Sequence, residues 1–151
     1  MGQLLSRQWK KEKYFMPPDN LTLATSWLKR AKSNLIRAKL PRQDEVFLED
    51  LCYDTQQSVE KALKALLIFY KIKFRYVHDI GELLRTLNEN GISYPEDFKD
   101  AVLLTDYAVE TRYPVLSEPV TESEYLEAVR IADLVFRWVE EKLNPQFKLD
   151  I

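Results

Sequence analysis

Glycine is scarce in this chain, and apolar residues recur at intervals of three and four along most of it. Only three of the 151 residues are glycine. Strand-rich folds usually need more glycine in their turns, whereas a spacing of three and four keeps one side of an α-helix apolar. The chain is long enough for one domain with a real core and too short for two comfortable ones. The sequence therefore predicts a single all-α domain.

Start and stop signals divide the chain into five predicted helices. Asp79 is placed as an N-cap with Glu82 three residues later, and Ser93–Glu96 and Thr121–Glu124 have the same capping-box spacing. The predicted helices begin near Asp19 or Thr22, Asp44, Asp79, Ser93 and Thr121, and they end near Pro41, Lys71, Asn90, Pro114 and Pro145. Short connections favour an up-and-down antiparallel bundle of four to five helices. We expect a basic N-terminal arm over residues 1–18, the bundle over 19–144 and a tail over 145–151.

The second helix has the clearest apolar pattern and also contains misplaced polar residues. Its predicted inner residues are Leu48, Leu51, Cys52, Val59, Leu63, Leu66, Leu67 and Tyr70. Thr55 and Gln56 fall within this apolar arc, and a buried glutamine needs hydrogen-bond partners. It could bond across helices or face a small polar cleft beside Arg112. The residues predicted to point outward are Asp54, Gln57, Lys61 and Lys64.

The fourth helix is predicted to be apolar on two sides. At 100° per residue one side comprises Phe98, Ala101, Val102, Thr105, Ala108 and Val109, and the opposite side comprises Leu103, Leu104 and Tyr107. A helix that is apolar on two sides is either central in the bundle or half of an oligomer interface. With five helices available, we expect a homodimer.

Arg112 falls on the inner arc at the end of this fourth helix. A guanidinium does not lose its proton, so it must find acceptors or a bound anion. Two interpretations are open. Arg112 could bond the free carbonyls of the helix end, where the helix dipole favours a cation, or it could hold a ligand.

The chain has one histidine, His78, directly before a predicted helix start. Backbone N–H groups at such a start favour anions, so His78 is a candidate phosphate contact or general base. It could also be an ordinary loop histidine. One histidine and one cysteine make no metal site, and no nucleophile elbow or glycine-rich phosphate loop is present. We expect no metal and no cofactor.

Charge is segregated along the chain although the formal net charge is only −2. Residues 1–42 hold ten Lys+Arg against two Asp+Glu, and residues 43–151 hold twelve against 22. Gathered cations raise the local potential and steer anions, which favours a phosphate-bearing ligand or an acidic partner. The alternative is a solvated helix face whose cations pair with the acidic body.

Composition also predicts the compartment. The longest unbroken apolar run is 65–70, far short of the roughly 20 residues that a membrane helix requires. The single Cys52 cannot form an internal disulfide, and the N-terminus lacks the apolar stretch of a secretory signal. We expect a cytoplasmic protein that does not enter a membrane.

Four segments together resemble the HEPN family (higher eukaryotes and prokaryotes nucleotide-binding domain). They are Gln56–Leu67 on the second helix, Val77–Ile80 with the following leucines, Thr111–Pro114, and Ala128–Leu143. The resemblance extends over roughly residues 21–143. It implies a small all-α bundle that is often dimeric.

The resemblance implies two roles. Many HEPN members resemble RNases whose catalytic arginine is followed four to six residues later by histidine, and they often serve as toxins beside a nucleotidyltransferase. Members that end the fourth helix in Arg-Tyr-Pro, as here, are suspected of binding nucleotides or partnering that nucleotidyltransferase. This chain departs from the nuclease pattern, because Leu116, Ser117 and Glu118 stand where the histidine would be.

We therefore expect a non-catalytic or weakly catalytic HEPN-type protein that binds a nucleotide or RNA phosphate and works beside a nucleotidyltransferase in a toxin–antitoxin-like pair. Arg112 would hold the phosphate, Tyr113 and Tyr107 would offer stacking faces, and His78 and Lys61 would be secondary contacts. One alternative is a metal-independent RNase that uses Arg112 and His78, which requires the start of the third helix to lie beside the end of the fourth. The other alternative is a purely structural protein-interaction module.

Overall fold

Four α-helices and one 3₁₀ helix make up the described part of the chain, which in this computed structural model comprises residues 20–108 and 118–147. The α-helices are α1 (Asn20–Lys39), α2 (Leu48–Phe69), α3 (Ile80–Glu89) and α4 (Glu122–Phe147), and the 3₁₀ helix is η1 (Glu96–Ala108). The predicted all-α bundle is confirmed.

Helix α2 lies at the centre and contacts each of the other four helices. Sixteen of its 22 residues are buried. Helix α1 runs antiparallel to it, since the Asn20 amide at the start of α1 donates to the Ile68 carbonyl near the end of α2. Helix α4 starts beside the start of α2, where the Val120 N–H donates to the Glu49 carboxylate. α2 therefore has no fully solvated side.

The apolar stripe of α1 lies in the core as predicted. Its buried members are Ala24, Trp27, Leu28, Ala31, Leu35 and Ala38. The cations of α1 lie outside this stripe and are exposed; they are Lys29, Arg30, Lys32, Arg37 and Lys39. Burial of one stripe thus leaves the rest of α1 strongly basic.

The N-caps predicted at Asp79 and Thr121 are present, although only Thr121 forms a complete capping box; at the third predicted box, Ser93–Glu96, the helix begins only at Glu96. Thr121 Oγ1 accepts from the Glu124 N–H, and the Glu124 carboxylate accepts from the Thr121 N–H. The Asp79 carboxylate accepts from the Glu82 N–H at 3.2 Å. Glu82, however, binds the Arg75 guanidinium at 2.8 Å instead of reaching back to the cap. An arginine within reach offers a carboxylate a charge-assisted bond that competes with a neutral backbone N–H.

The two-sided prediction for residues 96–108 is wrong because this segment is a 3₁₀ helix. With three residues per turn, positions 98, 101, 104 and 107 share one face. Phe98, Ala101 and Leu104 are accordingly buried, while Val102 and Leu103 are exposed. An α-helical period predicts Val102 on the inner side and Leu104 on the opposite side. The structure instead exposes Val102 and buries Leu104. The predicted Ala108–Val109 continuation lies at or beyond the end of the described segment.

Three further predictions need correction. Tyr70 is exposed at the end of α2, not inward. Asp54 and Lys64 are buried although the sequence pattern predicts both to point outward, because neighbouring elements cover α2 on nearly every side. Helix α4 continues past the predicted stop at Pro145 to Phe147. A proline loses its own N–H bond to the preceding turn and its ring crowds a carbonyl of that turn, yet its fixed φ is compatible with helical backbone.

Candidate functional site

Two polar networks lie side by side on α2, each built around one buried carboxylate. The Glu60 network contains Gln56, Glu60, Lys64 and His78. The Asp54 network contains Asn34, Arg37, Asp54 and Lys61. Lone carboxylates are costly to bury, so each needs the partners that surround it.

Glu60 is the most heavily bonded side chain of the first network. Its carboxylate accepts from Lys64 Nζ at 2.5 Å and from Gln56 Nε2 at 2.7 Å. The side chains of Lys64 and Glu60 are only 2% and 4% exposed. The predicted burial of Gln56 is confirmed, and Glu60 is the partner that satisfies it. The Lys64–Glu60 ion pair is therefore almost inaccessible to solvent.

His78 closes the same network from outside. Its Nδ1 lies 2.9 Å from Glu60 Oε1 and 3.1 Å from Oε2, while 74% of its side chain is exposed. An ionised carboxylate can only accept, so the proton of this contact resides on Nδ1. The second ring nitrogen, Nε2, is left for solvent or a ligand. A histidine oriented in this way by a buried carboxylate can exchange a proton through Nε2.

The Tyr76 ring packs against the Lys64 ammonium. The Lys64 ammonium lies 4.7 Å from the centre of the Tyr76 ring, a cation–π contact. Partial burial, assisted by the charge of Glu60, raises the pKa of Tyr76 to about 12, although 37% of the residue is exposed. Tyr76 also contacts Phe74 and Trp27 through its ring. The loop that carries His78 is thereby anchored to the core by aromatic side chains.

The Asp54 network connects α1 to α2 and differs in exposure. Asp54 Oδ1 accepts from Asn34 Nδ2 at 2.8 Å and from Arg37 Nη2 at 2.7 Å. Lys61 Nζ donates to Asn34 Oδ1 at 2.8 Å. The Arg37 side chain is 61% exposed, whereas that of Asp54 is 7% exposed. A buried Asn34–Asp54 pair thus holds two cations at the surface.

Lys61 lies in a crowded positive environment. Its pKa is lowered first by burial and then by the charge of Arg30; in decreasing order, Glu60 raises it, Arg37 lowers it and Asp54 raises it. Arg30 is exposed on the same side of α1 as Arg37. We call Arg30, Arg37 and Lys61 the basic cluster. Lys61, predicted to point outward, is half-buried at its edge.

The remaining candidate residues lie elsewhere. Tyr107 is half-buried at the end of η1 and lines a groove of about 440 Å³ between η1 and α4. That groove also contains Asp106, Glu124 and Glu127. Arg112 and Tyr113 lie outside the described residues. Of the five candidates, the structure therefore describes His78, Lys61 and Tyr107, and it brings the first two onto neighbouring sides of α2.

The RNase alternative requires the start of the third helix to lie beside the end of the fourth. In the described residues, the start of α3 lies beside η1. The Ile80 N–H donates to Thr105 Oγ1 at 3.3 Å, and the Cα of Gly81 faces the side chain of Val102. The third helix therefore begins next to the later turns of η1, within the described part of the chain. Arg112 follows Thr105 by seven residues in the sequence.

Sequence reasoning misses most of the polar residues that hold the site together. Glu60, Lys64 and Tyr76 are not among the sequence candidates, nor are Asn34 and Asp54. Glu60 and Lys64 are spaced i, i+4, and such a pair on an otherwise apolar helix is a usable signal. The Asn34–Asp54 contact joins two helices and has no such local signal.

Across 20–108 and 118–147, no group of three or more His, Cys, Asp or Glu side chains could hold a metal ion. None of the helices in these ranges is long and apolar enough to cross a bilayer.

Comparison with known proteins shows the family. The profile of the HEPN domain matches residues 24–142. The chain belongs to the HEPN family. The crystal structure of an archaeal HEPN homologue matches this HEPN protein with a TM-score of 0.64 and 28% sequence identity, over 80% of this chain and 97% of that one. A search of functionally curated proteins found no match.

The family match places both polar networks within the HEPN domain. Asn34, Asp54, Glu60, Lys64 and His78 all fall inside the matched residues. They are therefore features of the domain itself and not of an appended segment.

Proposed function

We propose that this HEPN protein binds phosphate groups of a nucleotide or RNA at the surface that carries His78. The observation that carries the proposal is the His78–Glu60 contact: a mostly exposed imidazole is held by a buried carboxylate that already has two other donors. Such a fixed ring presents Nε2 in one direction, which reduces the entropy lost when a ligand binds. Because Nδ1 already carries its proton, Nε2 donates to a phosphate in the doubly protonated ring, the form that a bound anion favours.

The surroundings of His78 favour an anionic ligand. The backbone N–H groups of the first turn of α3 follow it directly, and helix starts attract phosphate. The basic cluster lies on the neighbouring side of α2. Arg112 is proposed to add a bidentate phosphate contact, with Tyr113 and Tyr107 as stacking faces.

The biological setting is proposed from the family. The HEPN resemblance implies a partnership with a small nucleotidyltransferase in a toxin–antitoxin-like pair. We propose that this chain belongs to such a pair in the cytoplasm. A homodimer is proposed as well, because Leu103 is 68% exposed and Val102 is exposed beside it. An apolar pair of this kind on η1 is suited to a subunit contact.

Titration of the full chain with ATP and with a short single-stranded RNA tests the proposal. We expect binding of both, weakened about tenfold or more in His78→Ala and in Arg112→Ala, since a hydrogen bond to a charged group contributes about 1.5–3 kcal/mol. Lys73→Ala, an exposed change in the loop before His78, is the matched control and should bind normally. Absence of binding by the wild type would leave the protein-interaction module as the function.

The His78–Glu60 pair favours a second candidate, a metal-independent RNase. His78 would transfer the proton, and Arg112 would stabilise the charge that develops on the phosphate. This candidate predicts RNA cleavage in the presence of EDTA that disappears in both His78→Ala and Arg112→Ala. RNA that stays intact after prolonged incubation with the wild type would exclude it.

A further inference from the structure

We propose that the basic cluster, Arg30, Arg37 and Lys61, is a second phosphate-binding site and that it makes the ligand an RNA strand instead of a single nucleotide. The inference rests on the proposed phosphate site at His78 and specifies its ligand. It depends on how the cluster is held, on its charge, and on its position relative to His78.

Two of the three cations are held in place by buried groups. Lys61 bonds Asn34, Asn34 bonds Asp54, and Asp54 bonds Arg37, so a continuous chain of hydrogen bonds joins the two cations. Asn34 and Asp54 are both buried. A flexible surface lysine has to be ordered when it binds, whereas these cations are ordered beforehand.

The cluster carries more positive charge than its neighbours neutralise. Three cations lie near two carboxylates, Asp54 and Glu60, and Glu60 is also paired with Lys64. Helix α1 has five lysines and arginines between Asn20 and Lys39 and no acidic residue. An ordinary solvated helix face mixes both signs of charge. This one is arranged to attract an anion.

The crowding of Lys61 supports the same conclusion. Burial and the nearby Arg30 and Arg37 lower its pKa, which means that these surroundings disfavour its charged form. A phosphate beside Lys61 would offset that repulsion. Arg30 and Arg37 add guanidinium groups that can bind phosphate oxygens in pairs.

The positions of the two sites require an extended ligand. Glu60, which holds His78, and Lys61 are consecutive, so their side chains leave α2 about 100° apart. A helix with its side chains is about 10–12 Å across. One phosphate is too small to contact both His78 and the cluster across a helix of this width. A single-stranded RNA that crosses α2 can contact both.

The test compares a mononucleotide with an oligonucleotide on matched charge variants of the full chain. The probes are AMP and a fluorescent single-stranded RNA of about 12 nucleotides. Arg30→Gln/Arg37→Gln removes two charges from the cluster, and both side chains are exposed. Lys29→Gln/Lys32→Gln removes two exposed charges from other sides of α1. Binding is measured from low to high salt.

We expect the cluster variant to bind the RNA about tenfold more weakly while its AMP affinity stays unchanged. Its plot of log affinity against log salt should flatten by about 0.7 for each phosphate that the variant no longer neutralises. The Lys29/Lys32 control should change RNA binding by less than about twofold. Arg30→Glu, a single exposed change, should reproduce the weaker RNA binding if the double variant folds poorly.

Three results would overturn the inference. The first is an equal loss of AMP and RNA affinity in the cluster variant, which means one site. The second is an equal loss in the Lys29/Lys32 control, which means diffuse attraction. The third is competition by poly-glutamate as strong as by unlabelled RNA, which means a surface for acidic proteins. If His78→Ala changes neither ligand while the cluster variant still loses RNA, the cluster stands and the proposed His78 site fails.

Discussion

Asp54 and Glu60 are two buried carboxylates on one helix, yet their networks serve different purposes. Glu60 is paired with a lysine that is itself buried, and only the His78 ring reaches solvent. Asp54 is paired with an arginine that is mostly exposed, and Lys61 stands beside it. Both carboxylates are buried, so burial of the partner decides whether an ion pair is structural or presents charge to a ligand.

The strongest test of this contrast is removal of the buried cation. Lys64→Met leaves Glu60 without its ammonium partner in a site that is almost free of water, so we expect a loss of about 3–5 kcal/mol in the free energy of unfolding by urea. Arg37→Met, which removes the exposed cation from Asp54, should cost less than about 1 kcal/mol. Equal losses in the free energy of unfolding would show that burial of the partner does not decide the cost of removing it.

The double variant Glu60→Leu/Lys64→Met sharpens the same test. Replacing both charges with apolar groups removes the unpaired carboxylate, so the double variant should be more stable than Lys64→Met alone. The two changes are then strongly non-additive in urea unfolding. Additive losses would show that Glu60 and Lys64 do not depend on each other.

A smaller effect is expected from Asp54→Ala. This change leaves the buried Asn34 amide without its acceptor, which costs about 1–3 kcal/mol, whereas the exposed Arg37 is readily hydrated. Arg37→Gln should therefore change the free energy of unfolding by less than about 1 kcal/mol. If Asp54→Ala costs as much as Lys64→Met, the two networks are equally closed and the distinction between them is wrong.

The smallest expected effect concerns pH and Tyr76. An ordinary tyrosine titrates near pH 10, whereas burial raises the pKa of Tyr76 to about 12. The unfolded chain therefore loses this proton first. The stability due to the neutral phenol is complete below pH about 10 and is lost as the pH rises toward about 12. Unfolding of the wild type and of Tyr76→Phe should be measured across this window.

Tyr76→Phe should remove that part of the pH dependence. The difference in tyrosinate absorbance between the two folded proteins should show a group that titrates near pH 12. If the absorbance difference instead changes near pH 10, Tyr76 has the pKa of an ordinary tyrosine. The Glu60 network would then be open to solvent, which would weaken the contrast with the Asp54 network.

Patterns that depend on neighbouring residues are predicted well from the sequence. The stripe of α1 and the caps at Asp79 and Thr121 each involve residues within a turn or two of one another, so local physics determines them. The HEPN resemblance rests on several such local patterns in order, and the family match confirms it. The roles of Arg112 and Tyr113 remain predictions.

The period of η1 and the burial of α2 could not be read from the sequence. Residues 96–108 fit an apolar stripe at either three or 3.6 residues per turn, and only packing against α2 and α4 selects the tighter helix. Lys64 has the composition of a surface position. It is buried because α2 is enclosed by other helices and because Glu60 and the Tyr76 ring satisfy its charge.

The sequence by itself determined an all-α chain, the places where most helices begin, and a basic first helix, because spacing, capping and charge are properties of nearby residues. Tertiary structure decided which polar side chains meet: Asn34 with Asp54, and His78 with Glu60. These contacts join segments 18 or more residues apart. Their free energy depends on burial, which exists only after the helices have packed.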